Sequence, residues 1–242
     1  MVRFRVGKSY RFKRMKVAAI IFSRMASSRL PGKALRHIAG EPLIKRVINR
    51  VSKVKKLSTV VVATSNSKND DRLVEYIQSL NIEVFRGAAH DVLNRAVSCA
   101  SYLGVDKFIR INGDSPLIDP ELLEKGIEMW REPNLDLISN VFPRTYPVGT
   151  SVDIIKTDSL KKILSLTVDS CDREHVTRFF YRNPEKFRIL NFESGRSELR
   201  EVRLAVDTEE DLERIDWLFK EFGGLINFEM AAEKSLLWSR VE

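Results

Sequence analysis

A loop rich in cations and hydroxyls is the part of the sequence that points most directly to chemistry. The run SRMASSRLPGKAL, residues 23–35, carries three cations and three serines and contains no acid. Guanidinium forks, hydroxyls and free backbone N–H groups are the donors that a polyphosphate requires. We therefore predict that this loop holds a polyphosphate, the alternative being an ordinary solvated basic loop. The predicted contacts are Ser23, Arg24, Ser28, Arg29 and Lys33.

Two aspartates follow predicted strands and are candidates for binding a metal ion. Asp114 lies in the segment NGDSPLIDP, where Asp119 already serves to cap the next helix, so capping does not explain Asp114. Asp207 follows EVRLAV, although it or Thr208 can simply begin a helix. Two carboxylates suit Mg²⁺ held against a triphosphate. The predicted catalytic residues are Arg24, Lys33, Asp114 and Asp207, with the two aspartates as metal ligands.

Weaker candidates lie at the ends of the second and fourth predicted strands and in a helix of the second half. Thr64 and Ser65 can contact a base or ribose, or can cap the helix predicted over residues 68–80. Asn112, which follows the fourth strand, joins them as a predicted nucleotide contact. His175 is either a substrate contact or an imidazole packed on a helix.

The sequence also excludes several common kinds of site. Neither G-x-G-x-x-G nor G-x-x-x-x-G-K-[ST] occurs, which argues against a dinucleotide oxidoreductase and a P-loop ATPase. The chain has no G-x-S-x-G elbow and no H-E-x-x-H motif, so a covalent nucleophile is not indicated. Two cysteines, Cys99 and Cys171, are too few for a disulfide framework and favour a reducing compartment. We therefore expect a cytoplasmic protein.

Net charge does not mark the body of the protein as a binder of nucleic acid. The chain carries a formal charge of +8, but residues 1–40 hold eleven Lys or Arg and no acid. The remaining residues hold 30 basic against 33 acidic side chains, so nucleic acid is not an expected partner. The alternative is that the basic arm itself touches RNA or lipid head groups. No apolar run approaches the roughly 20 residues of a membrane helix.

The elements that must position these residues follow an α/β pattern. Short Val- and Ile-rich runs alternate with helical periods, which predicts parallel strands joined by crossover helices. In such sheets ligands bind beyond the carboxyl ends of the strands, where the candidate residues lie. The predicted strands of the first half are VAAIIF (17–22), TVVVAT (59–64), IEVF (82–85), DKFIRI (106–111) and LDLISN (135–140).

The second half of the chain is less regular. We predict strands near the sheet edge over SVDIIK (151–156) and FRILNF (187–192), and a last strand over EVRLAV (201–206). Helices are predicted over 172–182, started by Asp172, and over 208–222, where Thr208 and Asp211 have the spacing of a capping box. Residues 1–14 are predicted to be a disordered basic leader, residues 15–242 one domain, and residues 140–200 a flap, sugar-pocket or dimer lobe.

Five segments of the sequence, in order, resemble those of the cytidylyltransferases that activate acidic sugars. The segments are SRMASSRLPGKAL, FRGAAHDVL, RINGDSPLIDPELL, DREHVT and LAVDTEEDL, within about residues 17–222. The sequence is most similar to the spore-coat polysaccharide biosynthesis protein F-like branch, with 3-deoxy-manno-octulosonate and acylneuraminate cytidylyltransferases as relatives. The resemblance implies a Rossmann-like, GT-A-like nucleotidyltransferase fold with a mostly parallel sheet, helices on both faces and a small flap or dimerisation insertion.

The same resemblance implies a reaction and its partners. CTP and Mg²⁺ would be used to transfer CMP to a sugar, with release of pyrophosphate, for surface polysaccharide or glycoconjugate synthesis by a homodimer. The residues implied to contact the acceptor are Asn140, Arg144, Tyr146, Arg173, Glu174 and His175.

The segment RTYPVGTSVDII differs from the family pattern TYP-D-G-L-D, having Val148, Thr150 and Ser151. We expect these differences to bear on the acceptor. The alternatives are a diverged, non-catalytic paralogue and a glycosyltransferase of related fold, although such enzymes usually carry D-x-D where this chain has N-G-D.

Overall fold

Strands from along the whole chain meet in one mixed sheet. The computed structural model describes residues 16–238, so the predicted leader, residues 1–14, lies outside the described residues. The strands are β1 (Val17–Phe22), β2 (His37–Ile38), β3 (Glu41–Pro42), β4 (Thr59–Ser65), β5 (Glu83–Gly87), β6 (Lys107–Asn112), β7 (Leu137–Ser139), β8 (Asp153–Lys156) and β9 (Ile189–Asn191). Within this range, seven of them pair in the order β5-β4-β1-β6-β8-β7-β9, and β2 pairs with β3 alone.

Helices cover both faces of the sheet. The α-helices are α1 (Leu43–Val51), α2 (Asp71–Ser79), α3 (Val92–Tyr102), α4 (Pro120–Met129), α5 (Thr157–Leu166), α6 (Ser170–Glu174), α7 (Arg178–Arg182), α8 (Glu209–Phe222) and α9 (Phe228–Ser235). Short 3₁₀ helices span Lys33–Leu35, Lys68–Asp70, Pro184–Lys186 and Ser197–Glu201.

Strand β1 serves two cores, which explains its unbroken apolar sequence. In β1, Ala19 and Ile21 pack in one core with α1, α2, α4, α8 and α9. Ala18 and Ile20 point the other way, into a core shared with α3, α5 and α7. Side chains alternate between the faces of a strand, so a strand covered on both sides must be apolar throughout. The α/β fold class predicted from the sequence is confirmed.

The first-half strands lie where they were predicted, whereas β8 does not. It runs antiparallel between β6 and β7, in the interior of the sheet rather than near its edge. Ile154 and Ile155 enter the two different cores, which fits an interior position. The edge prediction for residues 151–156 was therefore wrong. The edge prediction for residues 187–192 is confirmed by β9.

Two other predicted elements differ in the structure. Residues 172–182 form two short helices, α6 and α7, with a break at residues 175–177 and a start capped by Asp169 rather than Asp172. The β-branched pair Val176 and Thr177 favours helix weakly, and the Asp172 side chain instead pairs with Arg178 at 2.7 Å. Residues 201–206 do not form a strand of the sheet.

The extended segment 202–206 is nevertheless held firmly, by backbone groups from two other loops. Val148 N donates to the Val202 carbonyl at 2.9 Å, and Leu204 N donates to the Val148 carbonyl at 2.6 Å. Val206 N donates to the Asp114 carbonyl at 2.9 Å. These bonds place Asp207 beside Asp114. Sequence pattern identified an extended apolar run but not that its partners were loops.

Gly149 permits this close approach. Its φ is +103°, and a Cβ there would lie 2.6 Å from Ala205 N and from the Leu204 carbonyl carbon. No side chain can be accommodated at that distance without moving backbone. The glycine is therefore required by both conformation and space.

We predict that Gly149→Ala lowers the free energy of unfolding by at least about 3 kcal/mol, because it adds a backbone clash to left-handed strain. Gly195→Ala is the matched control, since Gly195 has φ +75° and open space where a Cβ would stand. The control should lose only about 1–2 kcal/mol. Urea denaturation measures both, and equal losses would contradict the proposed clash.

Candidate active site

A cleft opens beyond the carboxyl ends of β1 and β6. Its volume is about 680 Å³. Nine of the residues predicted from the sequence line it: Ser23, Arg24, Ser28, Arg29, Lys33, Asp114, Glu174, His175 and Asp207. The structure therefore brings the cationic loop and both candidate metal ligands to one surface, at the edge of the sheet where α/β proteins bind ligands.

Lys33 lies at the centre of the site, between the two aspartates. Its Nζ donates to Asp114 Oδ2 at 2.9 Å, to Asp207 Oδ1 at 3.0 Å and to the Val206 carbonyl at 2.9 Å. Burial disfavours the charged amine, but the two carboxylates outweigh burial and hold the pKa of Lys33 above its ordinary value. The side chain is thus a fixed positive charge at neutral pH.

The two carboxylates that converge on Lys33 also fit the needs of Mg²⁺. Their oxygens are hard donors, and Mg²⁺ is usually held by one or two carboxylates together with water and substrate phosphates. Lys33 Nζ occupies the point where the two carboxylates converge, so a bound Mg²⁺ would replace contacts that the ammonium makes. Within residues 16–238 no group of three or more His, Cys, Asp or Glu side chains is arranged to hold a metal. The donor set therefore suits a metal ion that arrives with a phosphate ligand.

Asp207 is free for the cleft because another residue caps α8. Thr208 Oγ1 accepts from Asp211 N at 3.2 Å, and Asp211 Oδ2 accepts from Thr208 N at 3.1 Å, which completes the predicted capping box. The Asp207 carboxylate instead pairs with Arg29 and Arg203, each at 3.0 Å. The Asp207 carboxylate therefore does not cap α8, which was the alternative role that the sequence left open.

Arg24 also lines the cleft and joins the first loop to α6. It donates to the Ala89 carbonyl at 3.1 Å and pairs with Glu174 at 2.7 Å. His175 follows Glu174 and also lines the cleft. The DREHVT segment therefore reaches the site through the end of α6.

Thr64 and Ser65 are placed beneath the site rather than on its surface. Both are buried, and their hydroxyls donate to the Asp70 carboxylate. The same carboxylate accepts from Met25 N at 2.7 Å. Asp70 therefore ties the end of β4 to the cationic loop. Asn112 ends β6 and pairs in register with Phe22.

Four residues predicted to contact the acceptor make structural bonds instead of lining the cleft. Asn140 accepts from Val152 N, and the buried Tyr146 hydroxyl donates to the Glu193 carbonyl. Arg144 donates to Ser151 Oγ at 3.2 Å. Arg173 pairs with Asp91 at 2.8 Å and so holds α6 against the start of α3. Of the six predicted acceptor contacts, the cleft lining contains Glu174 and His175.

Two arginines that sequence analysis missed also line the cleft. Arg95 and Arg110 are both largely buried, and within the described part of the chain their Nε atoms have no hydrogen-bond partner. The signal was present, because Arg110 interrupts a buried strand between Ile109 and Ile111. A cation inside an otherwise apolar element requires a partner or a ligand.

Positive charge exceeds negative charge around the cleft. Its lining contains five Lys or Arg residues and three Asp or Glu residues. Such an excess inside a concave surface attracts anions. The cleft, on an α/β sheet and with paired carboxylates beside a fixed ammonium, defines a site for a polyanion.

Comparison with known proteins identifies the family. The family model described as cytidylyltransferase matches residues 18–239. The chain belongs to the cytidylyltransferase family.

None of the helices described within residues 16–238 is both long enough and apolar enough to span a bilayer.

Individual relatives agree with this assignment. The chain is 31% identical over 210 residues to the spore coat polysaccharide biosynthesis protein SpsF of Bacillus subtilis, covering 84% of this chain and 86% of the relative. It is 32% identical over 191 residues to a 3-deoxy-manno-octulosonate cytidylyltransferase of Geobacter metallireducens, covering 77% and 67%. The structure of a cytidylyltransferase from Leptospira borgpetersenii superposes with a TM-score of 0.86 at 29% identity, covering 91% and 93%.

The bonds to Asp70 predict how stability depends on pH. Burial alone would raise its pKa, but hydrogen bonds from Ser65, Met25 N and Thr64 outweigh burial and hold the pKa below its ordinary value. A lowered folded-state pKa contributes stability that is present above the unfolded-state value and is lost as pH falls through the folded-state value.

We predict that Asp70→Asn lowers the free energy of unfolding by about 2 kcal/mol at pH 7, because a buried donor loses its acceptor. The difference from wild type should shrink below about pH 4, the ordinary range of Asp. Asp71→Asn is the control, since the Asp71 side chain is 48% exposed and pairs with Arg86 at the surface. Denaturation between pH 3 and 7 tests this, and a constant difference would contradict it.

Proposed function

We propose that this protein transfers CMP from CTP to an anionic sugar acceptor and releases pyrophosphate. The observation that carries the proposal is the Lys33 ammonium between the carboxylates of Asp114 and Asp207, inside a cationic cleft, in a chain of the cytidylyltransferase family. The acceptor class that we propose is an acidic 2-keto sugar or a sugar phosphate, and the similar protein of Geobacter metallireducens acts on an acidic 2-keto sugar, 3-deoxy-manno-octulosonate. The product would serve surface polysaccharide or glycoconjugate synthesis.

The cationic loop would bind the triphosphate. Arg24, Arg29 and Lys33 reach the cleft from one segment and present two guanidinium groups and an ammonium. Ser23 and Ser28 add hydroxyls to the same surface. Cationic groups make strong, charge-assisted hydrogen bonds with phosphate oxygens. The fold fixes the positions of these side chains in the cleft.

The reaction is a displacement at the α-phosphorus of CTP. The attacking oxygen is the anomeric hydroxyl of a 2-keto sugar or a phosphate oxygen of a sugar phosphate. It forms the new P–O bond while the bond from the α-phosphorus to the bridging oxygen of the β-phosphate breaks, and the proton of a hydroxyl nucleophile passes to water. Lys33 and Arg24 offset the negative charge that develops on the departing pyrophosphate. When bound to Asp114 and Asp207, Mg²⁺ would supply Lewis-acid stabilisation of the phosphate oxygens. The cleft positions both reactants, which lowers the entropic barrier.

We further propose that the protein depends on Mg²⁺, forms a homodimer and is located in the cytoplasm. Mg²⁺ is supported by the oxygen-only donor pair of Asp114 and Asp207. The homodimer follows from the resemblance to the family. We do not propose nucleic acid as a partner. Within residues 16–238, the cations that support the proposal line a cleft of nucleotide size.

A pyrophosphate-release assay tests the proposal. Each of the four nucleoside triphosphates is supplied with Mg²⁺ and a panel of ulosonic acids, nonulosonic acids and sugar phosphates. Release with CTP that depends on both an acceptor and Mg²⁺ is the expected result. Consumption of a nucleotide-sugar instead would favour a glycosyltransferase, and CTP binding without turnover of any acceptor would favour a non-catalytic paralogue.

We predict that Asp114→Asn lowers kcat at least about 100-fold while the protein stays folded, because one of the two carboxylates at the phosphate site is lost. Asp158→Asn is the matched control, since the Asp158 side chain is 81% exposed at the start of α5. Steady-state kinetics and circular dichroism are measured on both variants. Full activity of Asp114→Asn would remove this aspartate from the catalytic site.

A further inference from the structure

A row of polar side chains crosses three neighbouring strands at the side of the cleft. Arg110 of β6 pairs in register with Asp153 of β8, and Asp153 pairs in register with Ser139 of β7. Directly opposite residues point to the same face of a sheet. The face is the one covered by α7, which adds Tyr181. Such a polar row is unusual in strands whose other buried side chains are apolar.

Asp153 is the fixed member of this row. Its side chain is 2% exposed, and its Oδ1 accepts from Ser139 Oγ at 2.9 Å and from the Tyr181 hydroxyl at 2.7 Å. The Ser139 and Tyr181 oxygens also lie 2.8 Å from each other. Burial, and then the charge of Asp153, raise the pKa of Tyr181, so this hydroxyl stays a donor. The carboxyl group is therefore held in one orientation.

Arg110 is the member of this row that makes a long hydrogen bond and has unused donors. Its Nη1 lies 3.5 Å from Asp153 Oδ2, longer than the 2.7–2.9 Å of a strong charge-assisted bond. Its Nε is buried and has no hydrogen-bond partner among residues 16–238. By contrast, the buried Arg50 makes three bonds of 2.7–2.9 Å to carbonyls. Arg110 thus keeps spare donors, and it lines the cleft.

The position of Arg110 separates it from the triphosphate cations. It lies four residues before Asp114 along the chain, and its nearest carboxylate is Asp153 rather than the aspartates that hold Lys33. Loop residues 23–33 already provide three cations for the triphosphate. Arg110 is therefore available for a different anion, on the side of the cleft toward β8.

We propose that Arg110 binds the anionic group of the sugar acceptor and that Asp153 is the positioning residue that orients its guanidinium. This inference rests on the proposed function, because it assumes an acceptor in the same cleft. A planar guanidinium matches both a carboxylate and a phosphate. Arg110 would then set the acceptor class, while the cationic loop sets the triphosphate class. Neither residue was among the candidates derived from the sequence.

The test measures acceptor and CTP separately in Arg110→Gln and Arg110→Lys. The probes are 3-deoxy-manno-octulosonate for the carboxylate and a hexose 1-phosphate for the phosphate, with KM from pyrophosphate release and Kd from calorimetry. We expect KM and Kd for the acceptor to rise about 10- to 100-fold in Arg110→Gln, with the CTP values within about twofold. Arg131→Gln, at an exposed arginine after α4, is the control and should change neither.

Asp153→Asn and Tyr181→Phe test the positioning role. Asp153→Asn removes the charge facing Arg110 and should raise the acceptor KM without changing CTP binding, whereas a general loss of folding would weaken both. Tyr181→Phe keeps the carboxylate and removes one bond to it, so a smaller rise is expected. The probe that loses affinity in Arg110→Gln identifies the anion as a carboxylate or a phosphate.

The outcomes separate this inference from the proposed function. Absence of CTP-dependent pyrophosphate release in the wild-type protein would overturn the proposed function. Normal wild-type turnover with an unchanged acceptor KM and Kd in Arg110→Gln would overturn only the role of Arg110. A rise in the KM for CTP alone would assign Arg110 to the nucleotide and also overturn it.

Discussion

The ion-paired contact of Lys33 with Asp114 and Asp207 is the interaction on which the site depends. It joins three distant parts of the chain, because Lys33 follows β1, Asp114 follows β6 and Asp207 follows the extended segment 202–206. Parallel pairing of β1 with β6 brings the first two together. The third arrives because segment 202–206 is bonded to the loop around Val148 and to the Asp114 carbonyl. Moving any of these supports would disperse the charges.

The charged side chains around the cleft hold one another in position. Asp207 is contacted by Lys33, Arg29 and Arg203, and Arg24 is held by Glu174. Side chains held by ion pairs in this way need little reorganisation when charge develops on a phosphate, which is the main electrostatic advantage of an enzyme over water. The network also explains why the net charge of the whole chain says little about its partner. The local excess in the cleft is the quantity that matters.

The sequence predicts those features of the fold that depend on residues close together in the chain. β1 runs over the predicted residues 17–22, and the Thr208 and Asp211 capping box is confirmed, because apolar runs and caps depend on near neighbours. The cationic loop and both aspartates meet as expected from their positions after strands. The interior place of β8 and the loop partners of residues 202–206 depend on tertiary pairing, which no local pattern carries. Arg110 lies within a strand, so the rule that ligands bind beyond the carboxyl ends of strands does not indicate it.

The most direct measurement is a crystal structure with a non-hydrolysable CTP analogue and Mn²⁺, in which the metal is located by its anomalous signal. Mn²⁺ accepts the same oxygen ligands as Mg²⁺. We expect one peak in direct contact with Asp114 and Asp207, with the triphosphate against the loop that carries Arg24, Arg29 and Lys33. A nucleotide bound elsewhere, or a metal peak that touches neither aspartate, would contradict it.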